Sequence, residues 1–136
     1  MPKIKDSLDR GIEFLRRTQL HNGEFISYFS NDEKLKNWAT PDYVILPSAL
    51  IGNSLIQFKD HKKVEIILHG IADFLEGQMQ KGGIWNFFNK RHYLYTVPPN
   101  DIDDTVVAAT VLKLMQRAYP NNIPTLLANR NGKGLF

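Results

Sequence analysis

Gly11-Ile12-Glu13-Phe14-Leu15-Arg16-Arg17-Thr18-Gln19-Leu20-His21-Asn22-Gly23-Glu24-Phe25 runs a helical pattern into a Gly-x-aromatic turn. The chain then does this again. Ile71-Ala72-Asp73-Phe74-Leu75 leads through Met79 to Gly83-Ile84-Trp85. Phe14 answers Phe74, Gly23 answers Gly83 and Phe25 answers Trp85, each pair offset by 60 (74 − 14, 83 − 23, 85 − 25). Ala49 and Ile51 answer Ala109 and Val111 at the same offset, and a weaker third echo joins Leu126-Leu127 to Gly134-Leu135-Phe136. The unit is a helix, a Gly-x-aromatic turn, a loop and a second helix. Such a pair cannot bury its apolar face alone, so stacked pairs share one core. Glycines at helix ends are common, and the competing reading is an ordinary helix bundle carrying both motifs by coincidence.

Around this repeat the chain reads as all-α. A helix is expected over residues 7–19 from Leu8, Ile12, Leu15 and Gln19, with Asp6 or Ser7 as its cap. Thr40-Pro41-Asp42 reads as the start of a second helix, restarted or kinked at Pro47-Ser48 and running to about Phe58. Val64, Leu68, Ile71, Leu75 and Met79 mark one face of a third helix over 62–80, stopped by Lys81-Gly82-Gly83. The fourth, over 103–119, is expected to bury Val107, Val111, Leu114 and Ala118, and Pro124 opens a short fifth. No strand alternation stands out.

Composition narrows the chemistry. The 136 residues are 43% hydrophobic and 23% charged, which fits one domain with a real core. Without cysteine there is no disulfide, thiolate metal site or Cys nucleophile. A net charge of +3 from scattered basic residues gives no nucleic-acid face. No apolar run reaches the roughly 20 residues of a membrane-spanning helix, and residues 1–10 lack a signal-peptide hydrophobic region, so the cytoplasm is the expected location. His21, His61, His69 and His92 show no third ligand partner and are read as surface or packing residues, with no metal and no cofactor expected.

The chemistry concentrates in Pro98-Pro99-Asn100-Asp101-Ile102-Asp103-Asp104-Thr105. The prolines bring the chain in extended and release it into a helix. One carboxylate is enough for a cap; three within four residues exceed that need. Crowded carboxylates in a water-poor site raise one another's pKa, whereas a helix N-terminus lowers it, so burial decides whether an acid results. The preceding loop holds Trp85, Phe87, Phe88, Tyr93 and Tyr95.

The turn unit resembles the QW repeat of squalene–hopene and oxidosqualene cyclases. The first copy keeps Gly11, Phe14, Leu15, Gln19 and Gly23, with Phe25 for the tryptophan. The second keeps Phe74, Leu75, Gly83 and Trp85, with Met79 where the glutamine belongs. Asp101-Ile102-Asp103-Asp104-Thr105 is similar to the Asp-x-Asp-Asp-Thr motif of those enzymes and of class II diterpene cyclases. The resemblance implies a partial α/α toroid of about two and a half helix-hairpin repeats in a single domain over 1–136. Its repeats would cover about 6–60 and 61–120, with a third beginning at 121–136. It implies proton-initiated cyclisation of an isoprenoid, with Asp103 as general acid, Asp101 and Asp104 as supporting carboxylates, and Trp85, Phe88, Tyr93 and Tyr95 as walls for the cation. Protein prenyltransferases share the toroid, but their zinc site uses a cysteine, which is missing here.

The third turn motif is cut at Phe136 with no polar cap after it. The expectation is a piece of a longer toroid, or a chain that covers its open edge with a homo-oligomeric partner, exposing an apolar edge near residues 126–136 or the first helix. Contact with a membrane surface would suit an apolar substrate. The alternative function is a noncatalytic α/α-repeat module binding a protein or lipid. A glycosidase is weaker, because its two carboxylates flank a sugar from opposite sides and all three here come from one helix start.

Overall fold

The structure is a computed structural model describing residues 2–34, 36, 38–130 and 132–133. Elements follow in the order α1 (Pro2–Thr18), β1 (Ser27–Phe29), β2 (Thr40–Asp42), α2 (Leu46–Leu55), a single 3-10 turn (Ile56–Phe58), α3 (Lys62–Gln78), β3 (Trp85–Asn86), β4 (Asn100–Asp101), α4 (Ile102–Leu114) and α5 (Ile123–Ala128).

The all-α toroid expectation is overturned. The chain is 51% helix and 11% strand, a mixed α/β structure with two small antiparallel sheets. Each sheet closes a loop between two helices. Ser27 pairs with Asp42 and Phe29 with Thr40 in one; Trp85 pairs with Asp101 and Asn86 with Asn100 in the other. Two or three residues per strand are too few to show the alternation that marks a strand in sequence. Thr40-Pro41-Asp42 is therefore strand β2 and not a helix start. Proline is tolerated there because β2 is paired on one side only. The helix begins later, at Leu46, with Pro47 in its first turn where no intrahelical N–H bond is lost.

α3 runs through the middle and packs against α1, α2 and α4. Val64, Ile67, Leu68, Ile71, Ala72 and Leu75 are wholly buried along it, so the expected stripe is present, with Met79 partly buried at its end. Burying a side chain of this size stabilises by about 1.5–3 kcal/mol, which makes this face the main anchor of the fold. α2 crosses close to α3 and α4 at Gly52, where an added Cβ would meet Val111 and Ile71 at 3.1–3.2 Å.

Other helix limits differ from expectation. α1 begins at Pro2, so Ser7 lies inside it and its hydroxyl donates back to the Lys3 carbonyl at 2.9 Å. α4 stops at Leu114, and Gln116 takes φ 57 just beyond, so Ala118 is not helical and Leu114 is exposed. Of the expected apolar edge, Phe14 and Leu127 are exposed, while Gly134, Leu135 and Phe136 fall outside the described residues.

The two Gly-x-aromatic turns are built alike. Gly23 (φ 86) lies so close to α3 that a Cβ would stand 1.8 Å from the Gly70 carbonyl oxygen. Gln19 Nε2 spans the joint, donating to the Gly23 and Ile67 carbonyls at 3.1 and 3.0 Å. Gly83 (φ 70) would place a Cβ 2.7 Å from the Pro120 carbonyl oxygen. There Asn122 Nδ2 donates to the Gly83 carbonyl at 2.9 Å, doing what Gln19 does for Gly23. After each turn the aromatic residue's N–H donates to a hydroxyl at the start of the next long helix: Phe25 to Ser48 Oγ at 2.9 Å, Trp85 to Thr105 Oγ1 at 3.0 Å.

Candidate functional site

The acidic segment is held from outside by the second sheet. Asn86 Nδ2 donates to the Pro98 carbonyl at 3.0 Å, and Trp85 pairs with Asp101. The Pro-Pro lead-in thus arrives along β3 and turns into α4 at a fixed register. Asp101, extended at φ −99 and ψ 131, is the cap, and its Oδ1 accepts from the Asp103 and Asp104 N–H groups at 2.8 and 3.2 Å.

The other two carboxylates go to opposite sides. α4 buries Asp104, Thr105, Ala108, Ala109, Val111 and Leu112, a face that begins with Asp104. Asp103, one helical step earlier, is exposed together with Val106, Thr110 and Lys113. Asp104 is 2% exposed, and its Oδ1 has no hydrogen-bond partner. A buried, unpartnered carboxylate oxygen is costly to ionise. Burial, then the charges of Asp101 and Asp103, push the Asp104 carboxyl up to about 7. The N-terminal position favours the anion, and here burial outweighs it. Asp104 is thus a member of the trio whose carboxyl is held toward neutrality.

The four expected wall residues do not share one site. Trp85 is fully buried and its Nε1 donates to the Leu75 carbonyl at 2.9 Å, so its ring packs the core. Tyr95 lines a depression of about 330 Å³ beside the acidic segment, with Asn86, Pro98, Pro99 and Asn100. Phe88 and Tyr93 line a different groove, of about 480 Å³, with Phe29 and Trp38.

The basic stretch Lys90-Arg91-His92 in the aromatic loop is engaged by the protein itself. Lys90 Nζ donates to the Gly77 carbonyl at 2.5 Å. Arg91 pairs with the fully buried Glu24, lies 4.4 Å over the Tyr43 ring, and joins Asn89, whose Nδ2 donates to Glu24 Oε1 at 2.6 Å. Sequence reasoning missed this buried ion pair. Its one available signal was a glutamate inside the Gly-x-aromatic turn. Among the described residues no group of three or more His, Cys, Asp or Glu could hold a metal ion, and no helix is long and apolar enough to cross a membrane.

Comparison of the chain with protein-family models, with curated proteins and with solved structures finds no match in any of the three.

Proposed function

We propose that the Asp101–Asp104 turn is a proton donor of the class II terpene-cyclase kind, acting on an alkene or epoxide of an isoprenoid. The observation that carries this reading is Asp104: buried, with one oxygen unpartnered and its carboxyl pushed up to about 7. Protonating carbon needs an acid that is still protonated at working pH, and a carboxyl near 7 meets that need. In this proposal Asp104 holds the proton, the exposed Asp103 meets substrate and delivers it, and Asp101 fixes the turn as the helix cap. The proton moves from the carboxyl to one alkene carbon and the other becomes a cation. A second double bond of the substrate attacks that cation to close the ring, and the new cation this leaves ends the reaction by losing a proton. Tyr95, which lines the depression formed with Pro98, Pro99 and Asn100, is the aromatic side chain assigned to face it. The proposal puts the protein in the cytoplasm, with contact at a membrane surface from which an isoprenoid is drawn.

The test is incubation of the chain with squalene, oxidosqualene and geranylgeranyl diphosphate, with products read by gas chromatography and mass spectrometry. Cyclised product is expected from the wild type, and none from Asp103→Asn or Asp104→Asn that retain wild-type helical content. Undiminished turnover by Asp103→Asn, or no cyclised product from the wild type, overturns the assignment.

A second reading, a noncatalytic module that binds a protein or lipid, is favoured by the exposure of Asp103 and the purely capping bonds of Asp101. Under it, Asp103→Asn leaves every property of the chain near wild type.

A further inference from the structure

The groove of about 480 Å³ around Asp42 has a chemistry the acid proposal does not use. Phe29 and Trp38 meet edge to face at 5.8 Å between centroids on one part of its wall. On another, His92 stacks on Phe88 at 3.7 Å and on Tyr93 at 4.7 Å. Tyr93, Phe29 and Trp38 remain substantially exposed although they are large aromatics, so they offer ring surface to something outside the chain.

The one carboxylate on this wall is Asp42, with its side chain 34% exposed. Its side chain faces one ionisable partner among the described residues, His92, whose Nε2 lies 3.7 Å from Asp42 Oδ1. His92 Nδ1 accepts the Leu94 N–H at 3.0 Å, and its ring is stacked on Phe88 and Tyr93. Arg91, next in sequence, is occupied by Glu24 and Tyr43. The groove thus combines several aromatic rings with one carboxylate, and no Lys or Arg is among the residues that line it.

We propose that this groove binds an organic ammonium ion, with the trimethylammonium group as the best-fitting form. Aromatic faces attract a weakly hydrated cation through their quadrupoles, and the Asp42 carboxylate adds a direct charge. The volume lies within the range of small-ligand sites. A neutral ligand of the same shape gains the ring contacts but not the attraction of ring faces and carboxylate for positive charge. The site stands independently of the acid turn, and either proposal can fail without the other.

The probe is choline, followed through the upfield ring-current shift of its methyl protons on titration with the whole chain. Its carbon isostere, in which a quaternary carbon replaces the nitrogen, is the neutral control. Choline is expected to bind more tightly than the isostere. Asp42→Asn should weaken choline about fivefold, the effect of losing an exposed ion pair of about 1 kcal/mol. Trp38→Ala should weaken it about threefold, as for an exposed cation–π contact. Neither substitution touches the buried core, and unchanged circular dichroism checks that the fold is kept. Flotation with phosphatidylcholine vesicles separates the sources: Asp42-dependent flotation assigns a lipid headgroup, and a choline shift without flotation assigns a free ligand. Equal affinity for choline and its isostere, or Asp42→Asn at wild-type affinity, overturns the proposal.

Discussion

Replacing Asp104 by asparagine should change how stability depends on pH, and the size of the change follows from its site. Folded, the Asp104 carboxyl holds its proton up to about pH 7; its ordinary value is 3.8. Between those limits the folded chain binds a proton that the unfolded chain has released, so stability falls as pH rises. The loss is complete once pH passes the folded value. At about 1.4 kcal/mol per pH unit the full span amounts to about 4 kcal/mol. Asparagine keeps the shape and cannot ionise, so it escapes the loss. Urea unfolding of both proteins, followed by circular dichroism from pH 4 to pH 8, isolates the effect, because titrating groups away from the turn cancel in the difference. The variant should gain on the wild type steadily with pH, by about 3–4 kcal/mol across the range, with most of the gain before pH 7. A difference that does not vary with pH would refute the reasoning, since it would mean that Asp104 ionises as freely folded as unfolded.

The other carboxylates of the turn should behave differently from Asp104 and from each other. Asp101→Ala removes the cap of α4 and should cost about 1 kcal/mol in urea unfolding, whereas exposed Asp103→Asn should stay within about 0.5 kcal/mol of wild type. Gly23→Ala, forced against the Gly70 carbonyl at φ 86, should cost more than about 4 kcal/mol. Gly82→Ala, also at positive φ but with its nearest neighbour 3.6 Å away, should cost only about 1–2 kcal/mol; thermal melts rank the two. Arg91→Ala strands the buried Glu24 carboxylate and should cost about 3 kcal/mol. A loss below about 1 kcal/mol would show that the Asn89 and Asn22 amides, which donate to Glu24 at 2.6 and 3.3 Å, suffice for it.

Much of the helical part was legible because α3 carries its apolar residues at helical spacing over 17 residues. The Gly-x-aromatic turns were legible for a related reason, since few residues other than glycine accept positive φ against a neighbouring carbonyl. The sheets were not. A ladder such as Trp85–Asn86 with Asn100–Asp101 is decided by where the two ends of a loop meet, and nothing in two residues announces it. α2 was misplaced because Thr-Pro-Asp is equally good at a helix start and at a short one-sided strand. In the acidic turn the three aspartates were found, but their roles were set by helical phase. Reading α4 from Ala108, Ala109, Val111 and Leu112 puts Asp104 on the buried face and Asp103 outside. Reading it from Val107, Val111 and Leu114 hides that division, and the family resemblance pointed to Asp103. The groove around Asp42 joins residues from two separate loops, which no local pattern connects.

The acid proposal stands or falls with the protonation state of one carboxyl group, and this can be observed directly. Carbon-13 chemical shifts of the aspartate side-chain carboxyls, followed from pH 3 to pH 9 and assigned through the Asp104→Asn variant, report each titration separately. The account predicts that the Asp104 signal keeps its protonated shift through mildly acidic pH and moves with a midpoint near 7. A midpoint near 4 would contradict it, leaving the turn as a helix cap with two spare charges.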